Sequence, residues 1–392
     1  MFKRIEVDNF KSLVKFSVDL GPTCAIVGNN ATGKSTILQA IDFICSSIKE
    51  DFNVMLERRG WNVTNVKSKL STSNKMYFRS LIGLEKDGLV VNYDWELTLL
   101  AYAGKNEILL HSEKIVCEDE ILLSYSSERG GYLKSGESTQ RISLPEEMMA
   151  HSSVLKMFSS SMRTDKRIRD LILFLLYSSS FEMLSPNEMR LSSRGIASSI
   201  GMSGKNLPSF IKKMNEEQKN NFMKKVSYVL DGRISDVETK TQGKPGWTQI
   251  DSIENYEKKV IRVSSKEMSD GMLRLLAFIA ISELQRPQAT MLLDEVENGI
   301  NANYAEKLIR ILSDMYTEKR HQLIMTTHST VFLDYIQPEN IIYLYRDGEG
   351  ATRALKLFGT EEMKKQLEYM YPGEVVLNMS QSEILEKLLA NE

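Results

Sequence analysis

Ile5 and Val7 alternate with polar neighbours at the start of the chain, and after a break at Asn9 to Ser12 the alternation resumes with Val14, Phe16, Val18 and Leu20 on one face. A period of two predicts half-buried strands. Gly21-Pro22 turns the chain into a short unbroken apolar run, Cys24 to Val27, which reads as a buried strand. From there the period changes. Ile37, Ile41, Ile44 and Ile48 fall at helical spacing and predict a helix with one apolar face for a sheet. Residues 50–75, centred on Arg58, Arg59 and Gly60, are polar and irregular and are expected to form a flexible excursion.

Between residues 76 and 145 short apolar runs (Leu81 to Leu84, Leu89 to Leu99, Ile108 to Leu110, Ile121 to Leu123) are separated by turn residues such as Lys86-Asp87-Gly88 and Gly130-Gly131. That spacing predicts an antiparallel meander. From about 150 to 230 the pattern becomes helical, with the apolar Leu171 to Leu176 and the lysine-rich stretch Phe210 to Leu230. The cations within Met162 to Asp170 read as a solvated helix face, with a phosphate-contacting patch as the alternative. Residues 231–264 return to strand-like alternation around a turn at Gln242 to Gly246. Two further apolar strands are expected at Ala289 to Leu293 and Gln322 to Thr327, and a hairpin around Asp347-Gly348 is placed at the sheet edge. Ser380-Gln381-Ser382-Glu383 is a capping box. It opens a last helix whose stripe Ile384, Leu385, Leu388 and Leu389 docks on the body of the protein.

Composition narrows the class. A chain of 392 residues with 42% hydrophobic content can hold two or three compact units. Charged residues make up 26% and nearly cancel, for a net charge of −2, which excludes a chain coated in basic surface and leaves room for a local nucleic-acid groove. Cys24, Cys45 and Cys117 form no Cys-x-x-Cys pair, so neither a zinc site nor a disulfide framework is suggested. The N-terminus lacks an apolar signal core and no run approaches a membrane span, so a cytoplasmic location without membrane contact is expected.

Four stretches carry chemistry. Gly28-Asn29-Asn30-Ala31-Thr32-Gly33-Lys34-Ser35 follows the predicted strand and opens the predicted helix, the context that a phosphate-binding loop requires. Glycines let successive N–H groups converge on phosphate oxygens, and the helix N-terminus favours the same anion. Lys34 adds a cation for the β- and γ-phosphates, Ser35 a hydroxyl for Mg²⁺, and Thr36 continues the site. The strand Ala289 to Leu293 ends in Asp294 and Glu295, and adjacent acids at the end of a buried strand need a partner. In a phosphate-loop ATPase one such carboxylate holds Mg²⁺ and the next polarises the attacking water, so Asp294 is assigned to the metal and Glu295 to the water. His328 ends the strand that begins at Gln322, at the edge of a parallel sheet where ligands bind. Ser269 and Gly271, in Lys266 to Arg274, sit at an N-cap and a helix mouth.

The succession of these motifs resembles the ABC-class ATPases, and more narrowly the RecF/SMC branch and the OLD-like ATPases of bacterial defence loci. Ile5-Glu-Val-Asp-Asn-Phe-Lys-Ser12, Leu292-Leu-Asp-Glu-Val-Glu-Asn-Gly299 and Met325-Thr-Thr-His-Ser-Thr-Val-Phe-Leu-Asp334 carry the resemblance, which covers about 1–48 and 262–346. It implies an α/β ABC-type head: a mixed or parallel phosphate-loop sheet, an antiparallel β-lobe and a helical insertion. The corresponding ranges are 1–150, a helical insertion at 151–230, 231–358 and a helical tail at 359–392. It further implies ATP sandwiched between two subunits, with Ser269 and Gly271 of one facing the phosphate loop of the other, and His328 orienting the γ-phosphate. A glutamine reaching Mg²⁺ from the β-lobe is a feature of the family, and Gln140 is the candidate for it. Two departures stand out. Gly299-Ile300-Asn301-Ala302-Asn303 replaces the His-Pro that many relatives carry, and the stretch between the lobes lacks sustained heptads, so no long coiled coil is expected. Without an acidic cluster after His328, any nuclease or toxic activity is expected on a separate polypeptide. The implied role is an ATP-driven homodimer or higher homo-oligomer regulating a separate effector in antiphage defence. A DNA-binding maintenance ATPase and an ATP-bound scaffold with little turnover are the alternatives.

Overall fold

Two sheets meet beside the phosphate loop. The computed structural model describes residues 1–392 except 136–137, 143–150, 160–164, 182–183, 244–245, 287 and 391–392. Strands β1 (Phe2–Asp8), β2 (Phe16–Asp19) and β3 (Thr23–Gly28) open the chain, and the loop after β3 feeds helix α1 (Lys34–Ser46). Helices α2 (Phe52–Arg58) and α3 (Val63–Val66) lead to β4 (Lys75–Lys86), β5 (Leu89–Tyr102), β6 (Glu107–Cys117), β7 (Glu120–Ser126), β8 (Gly130–Ser135) and β9 (Ser138–Ile142). Then come α4 (Val154–Phe158), α5 (Lys166–Tyr177), β10 (Ser179–Ser180), α6 (Pro186–Arg190), β11 (Ser193–Arg194), α7 (Leu207–Lys213) and α8 (Glu216–Val229). The next stretch holds β12 (Ile234–Gln242), β13 (Trp247–Tyr256), β14 (Lys259–Ser264), α9 (Asp270–Ser282), β15 (Thr290–Leu293) and α10 (Ala305–Lys319). The chain ends with β16 (Gln322–Thr326), α11 (Thr330–Leu333), β17 (Ile341–Arg346), β18 (Thr352–Lys356), α12 (Glu361–Gln366), α13 (Pro372–Asn378) and α14 (Gln381–Leu389).

The phosphate-loop sheet has the order β10-β15-β16-β3-β17-β18, parallel throughout except for the antiparallel edge strand β18. Its inner strands are buried on both faces, which is why they read as unbroken apolar runs. Alternate residues enter two different cores. Cys24, Ile26, Leu292 and Ile324 pack with α1, α2, α4, α5 and the antiparallel lobe, while Ala25, Val27, Leu293 and Met325 pack with α7 to α10 and the tail. The helical stretch expected as one unit over 151–230 is thus divided between the two cores. The antiparallel lobe is an eight-stranded sheet ordered β2-β1-β4-β5-β6-β7-β8-β9, and β2 lies against β18 where the two sheets adjoin. The expected combination of phosphate-loop sheet and antiparallel lobe is present.

Residues 50–75 differ from the reading as an excursion. Phe52, Met55, Leu56, Val63 and Val66 of α2 and α3 are buried, and Phe52 stacks on Phe43 of α1 with ring centroids 5.7 Å apart. The Arg59 guanidinium, 1% exposed, pairs with Asp42 at 2.5 Å. Helices of seven and four residues are too short to show a period in sequence. Of the basic stretch 162–170, residues 162–164 lie outside the described residues. Arg167 pairs with Asp165 at 2.9 Å and Glu120 at 2.8 Å. The turn at Gln242 to Gly246 joins β12 and β13, with Lys244 and Pro245 outside the described residues.

Two cations fix where α5 ends. Lys49 Nζ donates to the Ser178 carbonyl at 2.5 Å and Arg286 Nη1 to the Tyr177 carbonyl at 2.8 Å, which satisfies the last carbonyls of the helix and complements its dipole. Ser178 Oγ then accepts from Thr290 N at 3.0 Å and sets β10 beside β15.

Glu113 joins the antiparallel lobe to α4. Its carboxylate accepts from Trp95 Nε1 (2.9 Å), Ser153 Oγ (2.6 Å) and Val154 N (2.6 Å), all out of water. Burial pushes its pKa from 4.5 up to about 7, against the opposing pull of these three donors. A carboxyl whose folded pKa is raised binds more protons folded than unfolded. Its contribution is therefore greatest below pH 4.5 and declines as pH rises toward 7, by roughly 3 kcal/mol in total. Glu113→Gln is expected to remove this decline. Urea midpoints measured at pH 5 and pH 8 should fall for the wild type relative to the variant, and parallel curves would contradict the assignment.

Candidate active site

The loop between β3 and α1 curls because its backbone demands it. Gly28 and Gly33 have φ of 146° and 106°, and Ala31 adopts 63°. A Cβ on Gly28 would lie 2.4 Å from the Leu344 carbonyl, and one on Gly33 would lie 2.5 Å from Thr352 Oγ1. Only glycine serves at either position. Lys34 Nζ donates to the carbonyls of Gly28 and Asn29, both at 2.9 Å, so its ammonium lies across the mouth of the loop. Burial holds the Lys34 pKa below its ordinary value, opposed by the carboxylates of Asp294, Glu295 and Glu297. Thr32 Oγ1 donates to the same Asn29 carbonyl at 2.9 Å.

The hairpin expected at the sheet edge also braces this loop. Thr352 Oγ1 donates to the Thr32 carbonyl at 2.8 Å and lies 2.8 Å from Ser12 Oγ, while Arg346 Nε donates to the Ala31 carbonyl at 2.9 Å. In the sequence Arg346 and Thr352 carry no mark of this role, because both stand more than 300 residues from the loop and outside any motif. A groove of about 460 Å³ beside Thr36, lined also by Lys11, Ser12, Asn65, Lys67 and Arg346, has the size of a small-ligand site.

The parallel register brings the acids to the same edge. Ser35 Oγ donates to Asp294 Oδ1 at 3.1 Å. Thr326 Oγ1 donates to that same oxygen and accepts from Glu295 N at 2.8 Å, so one threonine orders both acids. Glu295 has φ 46°, an uncommon conformation for a residue with a side chain, and its carboxylate is exposed. Glu297 adds a further contact at this edge. Its Oε1 accepts from His328 N at 2.5 Å and so ties the loop after β15 to the loop after β16. The motif gave a hint, since a third acid stands two residues after Glu295.

These features fit a nucleoside triphosphate and Mg²⁺. The loop has the glycine geometry of an anion cradle, and a hydroxyl and a carboxylate at 3.1 Å form a hard oxygen pair. Among the described residues no group of three or more His, Cys, Asp or Glu side chains makes a metal cage, so the remaining ligands of a Mg²⁺ here would come from phosphate and water.

Gln140 does not belong to this site. It is exposed on β9, at the end of the eight-stranded sheet opposite β2. Seven strand spacings of about 4.8 Å each, counted along the sheet, separate its strand from β2 at the junction with the phosphate-loop sheet. The strand flanking Asp294 is β10, in register Ser180↔Leu292 and extended by Phe181 N donating to the Leu292 carbonyl at 2.8 Å.

Ser269 and Gly271 lie together at the head of α9. Ser269 Oγ accepts from Met272 N at 3.3 Å, and Arg190 holds the loop by donating to the Met268 carbonyl at 3.0 Å and pairing with Asp270. A Cβ on Gly271 would stand 2.3 Å from the Gly299 carbonyl, so this glycine is required by packing within the chain. Ser269 is not among the residues that line the cavity shared by Asn29, Asn30 and His328.

Comparisons with known proteins agree with this geometry. Residues 1–135 match the family model described as "AAA ATPase domain", and residues 149–334 match an "AAA domain" model whose description names "AbiEii toxin, Type IV TA system". The OLD nuclease of Thermus scotoductus is 48% identical over 48 residues, which is 12% of this chain and 9% of that protein. This chain therefore covers under a tenth of that relative's length. An SMC head solved with the C-terminal winged-helix domain of ScpA superposes with a TM-score of 0.55 at 14% identity, over 90% of this chain and 97% of that one, and shows the fold. The SMC head domain from Thermotoga maritima gives 0.47 at 14% identity, over 91% and 98% of the two chains. Among the described residues no helix is long and apolar enough to cross a membrane.

Proposed function

From the premise that this chain is a P-loop ATPase of the RecF, SMC and OLD type, we propose that it closes into a two-subunit sandwich around ATP and so regulates a separate effector protein, a nuclease or toxin, in bacterial antiphage defence. The observation that carries the ATP chemistry is the hydrogen bond from Ser35 to Asp294 beside Glu295, at the mouth of a loop that Lys34 spans. Gly28 to Thr36 would wrap the phosphates and the groove at Lys11 and Arg346 would take the nucleoside. Ser35 and Asp294 would hold Mg²⁺, which supplies charge neutralisation at the phosphates. Glu295 is the general base for water, and His328 orients the γ-phosphate from the neighbouring strand end. The partner subunit's Ser269 and the partner's Gly271 complete the site with a hydroxyl and a helix N-terminus.

The effector role draws on the toxin-system description of the family model over residues 149–334 and on the near-neutral net charge of −2. A DNA-maintenance clamp is the second reading, favoured by the SMC-head fold. The test is the affinity of Glu295→Gln for duplex DNA, with and without Mg-ATP, at about 50 and 200 mM salt. Weak binding that ignores ATP is the expected result. Tight ATP-dependent binding that collapses at the higher salt would put the clamp in place of the effector role.

A further inference from the structure

A cleft of about 630 Å³ opens beside the phosphate loop, and its walls come from four segments, three of which matter here. Asn29 and Asn30 form one wall, His328 the second, and Leu377 and Gln381 of the C-terminal tail the third. The tail is firmly seated there. Gly373 N donates to Asp334 Oδ1 at 2.7 Å, and a Cβ on Gly373 would lie 2.0 Å from the Thr330 carbonyl, so α13 sits directly on α11, the helix that follows His328. Val375, Ile384 and Leu388 are buried in the same core as Val27 and Tyr343 of the phosphate-loop sheet. Ser380 and Glu383 close a capping box, with Ser380 N donating to Glu383 Oε2 at 2.7 Å and Glu383 N to Ser380 Oγ at 3.3 Å, which fixes the first turn of α14. From that fixed turn Gln381 Oε1 accepts from Asn29 Nδ2 at 2.5 Å.

Asn29 is the hub of the loop. Its carbonyl accepts from both Lys34 Nζ and Thr32 Oγ1, each at 2.9 Å, while its side chain is held by the tail. We infer that Gln381 is a positioning residue for ATP: it fixes Asn29, and through Asn29 the placement of the Lys34 ammonium that meets the phosphates. The tail is thereby a working wall of the nucleotide site, contributed by the same subunit. The inference rests on the reading that this loop holds ATP.

Steady-state ATP hydrolysis by the full chain tests it. Gln381→Ala removes one surface hydrogen bond and is expected to raise KM for ATP about fivefold, with a smaller change in kcat. Gln381→Met keeps the length without the acceptor and should reproduce that change, which separates loss of the bond from loss of packing. In the double variant with Asn29→Ala, Gln381→Ala should add nothing to the effect of Asn29→Ala alone, because both remove the same contact. An unchanged KM in Gln381→Ala, or effects that multiply in the double variant, would overturn the inference alone. Unchanged ATP affinity in Lys34→Ala would overturn the inference together with its premise.

Discussion

Glu295→Gln is expected to lower ATP turnover by about two to four orders of magnitude while ATP still binds, because a general base contributes that much and the amide cannot take a proton. The geometry makes Glu295 the candidate rather than either acid beside it. Asp294 is engaged by Ser35 and Thr326, and Glu297 Oε1 is committed to the His328 backbone. Glu295 is left with an exposed carboxylate, held from behind by its own N–H on Thr326 Oγ1 at 2.8 Å and touched by Asn298 Nδ2 at 3.4 Å. Its φ of 46° costs energy that the surrounding contacts offset, as is common where a backbone aims a functional group. Phosphate release and nucleotide binding, measured on the same preparation, separate the two effects. Turnover within tenfold of the wild type would assign the base elsewhere.

Lys34→Ala has the second large effect, a fall in ATP affinity of about a hundredfold or more. Lys34 as a residue is 7% exposed, and its ammonium is held by two carbonyls of its own loop, so it is already placed. Charge-assisted hydrogen bonds to phosphate from such a position are each worth about 1.5–3 kcal/mol, and the variant also leaves the Gly28 and Asn29 carbonyls without their donor. Titration calorimetry with Mg-ATP reads this directly. Affinity within a few fold of the wild type would mean that the triphosphate lies elsewhere.

The residues legible in sequence are those whose chemistry is contiguous. Gly28 to Ser35, Asp294-Glu295 and His328 each stand in a short motif at the end of an apolar strand, and the parallel register does bring them to one edge. Their supports were hidden. Thr326 stands inside the Met325 to Asp334 stretch without any mark of its double role, while Arg346, Thr352 and Gln381 reach the loop from over 300 residues away. Gln140 shows the opposite failure. Residue type alone points to it, whereas position is decided by strand order, and β10, which pairs with the strand leading to Asp294, is two residues long and gives no periodic signal. The buried helices α2 and α3 were lost for the same reason, too few turns to set a polar and an apolar face apart.

The two-subunit sandwich is the claim on which the rest depends, and the solution mass of Glu295→Gln with and without Mg-ATP tests it most directly. The variant holds ATP without consuming it, so the predicted result is a shift to twice the mass on adding Mg-ATP, abolished when Ser269→Arg is introduced alongside. The same mass in every condition, or doubling that survives Ser269→Arg, would contradict it.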